Sequence, residues 1–568
     1  MSRLLALFIS VGASLCVVFA CAPGAQLAGA APSPTPTSPP RATRVPTRAP
    51  AATSAPTTAP AAQTAPTPTS VSTAPTPAPA PPTAASLPTA TPTAVAEDPA
   101  ELRAVWVDAF HDGFKTPEQV DQLVAWARRA NVNALFVQVR RRGDAYYLKS
   151  IEPRTEDPGL SPAPGFDALQ YLIDRAHAGP QRLEVHAWLA TLPIWNKRNT
   201  PPVDPRHIMN QHGLDADDTW LMLRDDGAAW AGTGQIGSYY LDPGNPSAAR
   251  YTSDVYLDLL RNYAVDGIHL DQVRYFEGDP RRWGYNPTSV ARFNQRFGRD
   301  PGTQPDANDP DWMAWRRDQV TALVRRIYLQ AKAIKPNVAV SAAVVAWGSG
   351  PQSVGGWENT APFGSVFQDW RYWLQEGILD YALPMDYYRE LEPQNGWFDA
   401  WAGFQTTNRG KRGVAIGVGN FLNSMDSSLA QIARARALNP LGVALYSYAV
   451  PALGLDASTA TDRDSFAARL RELFPRPAPT PALAGLVSGG LGIEIPGHEG
   501  VSMTVDDGLG TLRTWVTDGT GLAGGVDLGP GRYTVTVSAP DVDPTPFQVQ
   551  VVAGSASLVR LAPGTPAS

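Results

Sequence analysis

Eight apolar runs of strand length recur between residues 103 and 449 and alternate with helical patterns. No other feature restricts the fold as tightly. Strands that alternate with helices in this way call for a parallel sheet joined by crossover helices. The runs are 103–109, 133–140, 184–192, 266–275, 337–346, 381–388, 412–419 and 442–449. Between them, Thr116-Pro117-Glu118-Gln119 opens a helix, with Thr as cap and Pro at the first helical position. Further helical patterns cover 166–177, 247–263, 312–334, 427–438 and 464–474. Eight such units over about 375 residues fit a (β/α)8 TIM barrel with insertions, expected over 99–476. An open doubly wound sheet is the alternative. It calls for a glycine fingerprint after the first strand, where this chain has Ala109-Phe110-His111-Asp112-Gly113.

The flanks differ in composition. Arg3 followed by the apolar run 4–20 reads as an export signal, too short and too early for a membrane span. Cys16 and Cys21 are the only cysteines, so the globular part has no disulfide to form. Val18-Phe19-Ala20-Cys21 resembles a bacterial lipobox, with Phe19 where a smaller residue is usual. Cys21 is the expected lipidation site of an exported protein, with plain secretion as the other outcome. Membrane contact is expected only through that anchor. Residues 22–98 read as a disordered tether rich in Pro, Thr and Ala, too poor in apolar periodicity to bury a core. The proline-rich stretch 475–481 precedes a second module at 482–568. Its alternating runs 492–495, 502–505, 513–517, 531–537 and 547–552 predict a small all-β sandwich. A net charge of −6 offers no basic footprint for nucleic acid. No cofactor or metal is expected, and the protein is expected to be a monomer.

The fourth run carries the sharpest chemistry. In Gly267-Ile268-His269-Leu270-Asp271, alternation puts His269 and Asp271 on one face and Ile268 and Leu270 on the other. Arg274 and Tyr275 follow. Catalytic groups of a (β/α)8 barrel sit at the C-terminal ends of its strands. Polar or aromatic residues stand at that end of several runs: Asp108, Gln138, Arg140, His186, Trp188, Trp347, Tyr388 and Tyr448. Together with His269, Arg274 and Tyr275 they are the expected substrate-binding set. Arg140 could equally be a structural partner of Asp108 or Asp144, and His186 a buried core histidine.

Glycoside hydrolysis needs two carboxylates. Asp271 and Asp386 end the fourth and sixth strands. Even-numbered strands contribute to one layer of a barrel, so the two carboxylates are expected to face each other across its mouth. His269 and Arg274, as positive neighbours, suit Asp271 to stay ionised as a nucleophile. Tyr387 and Tyr388 give Asp386 the less polar setting of an acid. Every tryptophan except Trp515 falls in the barrel region. Trp195, Trp220, Trp230, Trp283, Trp357 and Trp397 lie in expected loops, where they either stack on sugar or wedge the loops in place.

Residues 101–449 resemble the glycosyl-hydrolase-like family 10 proteins, the bacterial DUF187 group. The matching stretches are Arg103-Ala104-Val105-Trp106-Val107, Val137-Gln138-Val139-Arg140, Gly143-Asp144-Ala145-Tyr146-Tyr147, His186-Ala187-Trp188, Leu241-Asp242-Pro243, the 266–275 motif, Gln368-Asp369-Trp370 and Pro384-Met385-Asp386-Tyr387-Tyr388. Asp-Gly-Ile-His-Leu-Asp is also similar to the fourth-strand nucleophile motif of α-amylase-like enzymes, with His269 where those carry Arg. The resemblance implies an exported polysaccharide hydrolase of retaining type, with peptidoglycan glycan strands as a candidate substrate. Many family members lack Asp at the place of Asp386, so Glu358 in Trp357-Glu358-Asn359 is the reserve acid. Residues 519–533 are similar to prealbumin-like, carboxypeptidase-regulatory domains, which implies a spacer or binding module. Two other readings stay open: a lipoprotein that binds glycan without cleaving it, and a metal-dependent deacetylase using His111, His186, His269, Asp108 and Asp271.

Overall fold

The computed structural model describes residues 98–561, apart from 163, 235, 456–457, 484–487, 511 and 539–545. The export signal, Cys21 and all but the last residue of the tether lie outside the described residues. No helix among the described residues is long and apolar enough to cross a membrane.

All eight expected strands form. They are β1 (Leu102–Val107), β2 (Ala134–Arg140), β3 (Glu184–Ala190), β4 (Gly267–Asp271), β5 (Ala339–Val344), β6 (Tyr381–Asp386), β7 (Gly413–Gly419) and β8 (Gly442–Tyr446). They pair in parallel in chain order, and β8 closes on β1 with Leu102 opposite Gly442. The helices sit where their signals put them. Thr116 caps Pro117–Arg129 by accepting the Gln119 N–H, and Val120, Leu123, Val124 and Ala127 form its buried stripe. Pro310–Ile334 starts on the Asp309 cap and stops before Pro336. Helices Pro287–Arg296, between β4 and β5, Trp370–Glu376, between β5 and β6, and Gln394–Thr407, between β6 and β7, were not anticipated.

The barrel has two cores. Outward residues such as Val105, Val137, Ile268, Val340 and Ala382 pack under the helices. Inward residues Ala104, Trp106, Phe136, Trp188, Leu383, Ala415 and Ala444 fill the interior. Small side chains on β7 and β8 leave room for the large ones on β1, β2 and β3, as layered barrel packing requires. Gly267 is such a concession, because a Cβ there would run into the His186 ring.

The C-terminal module is a sandwich of a three-stranded sheet, (Leu522–Leu528)-(Gly489–Glu494)-(Ala556–Arg560), and a four-stranded sheet, (Leu512–Val516)-(Ser502–Asp506)-(Gly531–Ser538)-(Phe547–Val551). Leu491, Ile493, Met503, Val505, Val535 and Val551 are its core. It docks on helix Pro310–Ile334, where Arg326 pairs with Glu494 at 3.1 Å and donates to Thr520 at 3.0 Å. The proline-rich stretch before it is no loose spacer. The Asp98 and Glu101 N–H groups bond to Pro477 O (2.7 Å) and Pro479 O (3.1 Å), and Asn133 donates to Ala478 O at 3.0 Å.

Candidate active site

The chemistry gathers at the C-terminal end of β4. Asp271 is half-buried, one step above the fully buried His269 on the same inward face. Its Oδ2 accepts the Trp188 indole N–H at 3.0 Å and its Oδ1 the Gln272 backbone N–H at 2.7 Å. Burial raises the Asp271 pKa, and Arg274, Trp188 and Gln272 pull against that rise. The three cationic or N–H neighbours favour the anion and desolvation opposes it. Arg274 is 6% exposed and stands over the Trp347 ring at 5.5 Å. Its Nε and Nη1 are buried without a hydrogen-bond partner, and Nη2 lies 3.6 Å from Glu277. Trp347 is 36% exposed.

An aromatic wall completes the mouth. Tyr387 meets Tyr446 at 5.3 Å, Trp106 at 6.2 Å and Phe421 at 5.8 Å. Tyr446 also meets Trp188 at 6.4 Å. Burial and the Asp271 charge both raise the Tyr387 pKa, which ties that ring to the carboxylate. An anion held by an indole and a backbone N–H, beside half-buried aromatic rings, can meet the developing positive charge of an oxocarbenium ion while the rings take the sugar's C–H faces.

Other expected site residues lie elsewhere. Asp386 is a correction. It is fully buried and pairs with Val418, whose neighbours face the helices, while Leu383 and Tyr387 hold the inward positions of β6. Its Oδ1 accepts from Gln405 at 2.8 Å on the covering helix Gln394–Thr407, and burial pushes its pKa well up. It therefore does not face Asp271 across the mouth. Tyr388, on the same outward face, donates to Gly348 O at 2.7 Å and anchors the loop after β5. Tyr448 packs edge-on against Trp126 at 5.1 Å, among the helices.

His186 and His269 belong to the barrel interior below the mouth. The Trp106 indole N–H can only donate, so at 3.2 Å it fixes His269 Nε2 as acceptor and leaves Nδ1–H for Ser341 Oγ at 2.9 Å. Burial holds the His269 pKa well below its ordinary value, so the ring is neutral and is not the cation expected beside Asp271. His186 stacks on Phe136 at 4.4 Å and bonds Glu184 at 3.0 Å. Arg140 does have a structural role, but its partner is Glu152, which it grips with two contacts of 2.8 Å. It also donates to the carbonyls of Ala190 and Thr191, holding the chain after β3. Asp108 accepts the Phe110 and His111 N–H groups, and Gln138 accepts that of Ala109, so both shape the first loop. Tyr275 is 1% exposed, edge-on to Phe367. Glu358 is exposed on the short 3-10 turn Trp357–Asn359.

Residues 101–433 match the family described as glycosyl hydrolase-like 10. The chain belongs to that family. It is 27% identical over 320 residues to glycosyl hydrolase YngK of Bacillus subtilis, covering 52% of this chain and 56% of that one. To glycosyl hydrolase DigH of Escherichia coli K12 it is 26% identical over 275 residues, covering 46% of this chain and 56% of that one. The matched stretch thus spans a little over half the length of each relative. Among solved structures, the PgaB (BpsB) glycoside hydrolase domain from Bordetella bronchiseptica aligns with a TM-score of 0.44 at 15% identity, over 66% of this chain and 99% of that one. The catalytic domain of β-amylase from Paenibacillus polymyxa gives 0.45 at 13% identity, over 66% and 100%.

In this glycosyl hydrolase-like chain most loop tryptophans are wedges. Trp195, Trp230, Trp283 and Trp357 are buried; Trp220 stacks on His212 at 3.6 Å and Trp397 meets Tyr388. Trp106, Tyr387, Phe421 and Tyr446 form the mouth and were not named as site residues. For Tyr387 the missing signal was strand parity on β6. Among the described residues, no group of three His, Cys, Asp or Glu side chains is placed to hold a metal ion. His111 bonds Asp108, while His186 and His269 are engaged as above.

Proposed function

We propose that this glycosyl hydrolase-like protein is an exported glycoside hydrolase acting on a bacterial polysaccharide, with peptidoglycan glycan strands as the candidate substrate and Asp271 as the nucleophile of a retaining mechanism. The observation that carries the reading is Asp271 itself. It is a half-buried carboxylate at a barrel strand end, fixed by two N–H donors and walled by aromatic rings. Such fixation lets one oxygen point at an anomeric carbon without reorganisation at the moment of reaction. Family membership supports the same chemistry. A lipid anchor at Cys21 would keep the barrel at the cell surface on its tether.

The displacement of Asp386 from the mouth favours one competing reading, a binder that lacks an acid. Purified, peptide-free glycan strands decide between them. New reducing ends released by the wild-type protein support the hydrolase. Saturable binding without release from any bacterial polysaccharide supports the binder.

A further inference from the structure

The mouth leaves one vacancy. A carboxylate that attacks an anomeric carbon needs a partner to protonate the leaving oxygen, and Asp386 faces the helices. The segment after β4 supplies another acid. Glu277 lies six residues beyond Asp271 and three beyond Arg274, and its carboxylate is 3.6 Å from Arg274 Nη2. Its side chain is 40% exposed, and its charge acts on Asp271. The backbone beneath it is held on both sides. Tyr275 N–H bonds Val366 O at 3.0 Å, and the Phe276 ring is clasped by Tyr240 and Trp283, each at 5.5 Å. Arg274, buried on Trp347 with two unpartnered nitrogens, stands where its charge reaches both carboxylates.

We propose that Glu277 is the second carboxylate of the site, the proton donor and acceptor that works with Asp271; the assignment rests on the glycosidase reading above. In the first step an Asp271 oxygen bonds to the anomeric carbon as the bond to the leaving oxygen breaks, and the Glu277 proton passes to that oxygen. In the second step water bonds to the anomeric carbon, the ester bond to Asp271 breaks, and the water's proton returns to Glu277. Glu277 thus acts first as acid and then as base.

The test uses Glu277→Gln and Glu277→Asp in the full chain, with Glu358→Gln alongside. The probes are peptide-free glycan strands and 2,4-dinitrophenyl β-N-acetylglucosaminide. The account expects Glu277→Gln to lower kcat on strands by about 10²–10⁴-fold while sparing only the first, leaving-group step on the aryl glycoside, whose second step still lacks a base. Azide should restore aryl-glycoside turnover and yield a glycosyl azide, and the alkaline limb of the kcat/KM profile should vanish. Glu277→Asp should retain part of the activity. A Glu277→Gln protein within about threefold of wild type on strands overturns the assignment. So does equal loss on both probes without azide rescue in a protein of wild-type Tm. Azide rescue of Glu358→Gln instead moves the role to that loop. A wild-type protein that cleaves neither probe nor any bacterial polysaccharide tested overturns the glycosidase reading and this assignment together, whereas an active wild type with a Glu277→Gln variant of wild-type behaviour overturns this assignment alone.

Discussion

The ends of β4 and β6 look alike in sequence and differ in space. Each strand finishes on an aspartate followed closely by a tyrosine, and burial raises the pKa of both carboxyl groups. Asp271 projects into the barrel mouth, meets two N–H donors and is partly open to solvent. Asp386 projects the other way, meets one glutamine and has its second oxygen buried without a partner. One residue of strand register separates a candidate nucleophile from a packing group. A perturbed carboxyl pKa therefore does not by itself mark a catalytic acid. What it faces decides the matter.

The largest expected effect breaks this symmetry at Asp271. Asp271→Asn should keep its Tm and lose at least about 10³-fold in kcat, because it removes the nucleophile that forms the covalent intermediate. Reducing-end release and a thermal melt check both halves. Asp386→Ala should do the reverse. Stranding the buried Gln405 amide costs about 1–3 kcal/mol of stability while kcat stays near wild type. An Asp386→Ala protein of normal Tm and no activity would return Asp386 to the site.

The contrast with β4 also explains what could be read in advance. On β4, Ile268 and Leu270 are apolar while His269 and Asp271 are polar, so parity is written in the residues. On β6, Tyr381-Ala382-Leu383-Pro384-Met385 is apolar on both faces, as strands buried on two sides are, and no contrast fixes which face Asp386 takes. The eight strands and their order were legible because they depend on alternation and length. Arg140 shows a second limit. Its position on β2 was readable, but its partner Glu152 comes from a loop with no periodic signal. The same holds for Tyr388, whose hydroxyl reaches back to the loop after β5. For Tyr448 the limit is where β8 stops. The strand ends at Tyr446, and continuing its alternation put Tyr448 in the mouth instead of among the helices.

A smaller effect separates buried carboxyl groups by pH. Asp386 holds a proton in the folded state that the unfolded chain has released. Stability from this source is therefore full below the ordinary carboxyl range and declines as pH rises towards the folded pKa. Asp386→Asn should flatten that decline in melts taken from pH about 4 upward. Asp242, buried and raised from 3.8 to about 7, adds a decline of the same sign ending near neutrality, which Asp242→Asn should remove. A slope unchanged in both variants would contradict the assignment of protons. The smallest effect is at Trp347. Removing the ring under Arg274 should raise KM by roughly fivefold, about 1 kcal/mol, with kcat nearly unchanged.

The central claim is that Asp271 is the carboxylate that bonds to the sugar. Its most direct test is mass spectrometry of the protein after reaction with a 2-fluoro glycoside carrying a dinitrophenyl leaving group, which slows release of the covalent intermediate. The account predicts a single added glycosyl mass, carried by the peptide that contains Asp271 and absent from Asp271→Asn. A label on any other carboxylate, or clean turnover to product of inverted configuration, would contradict it.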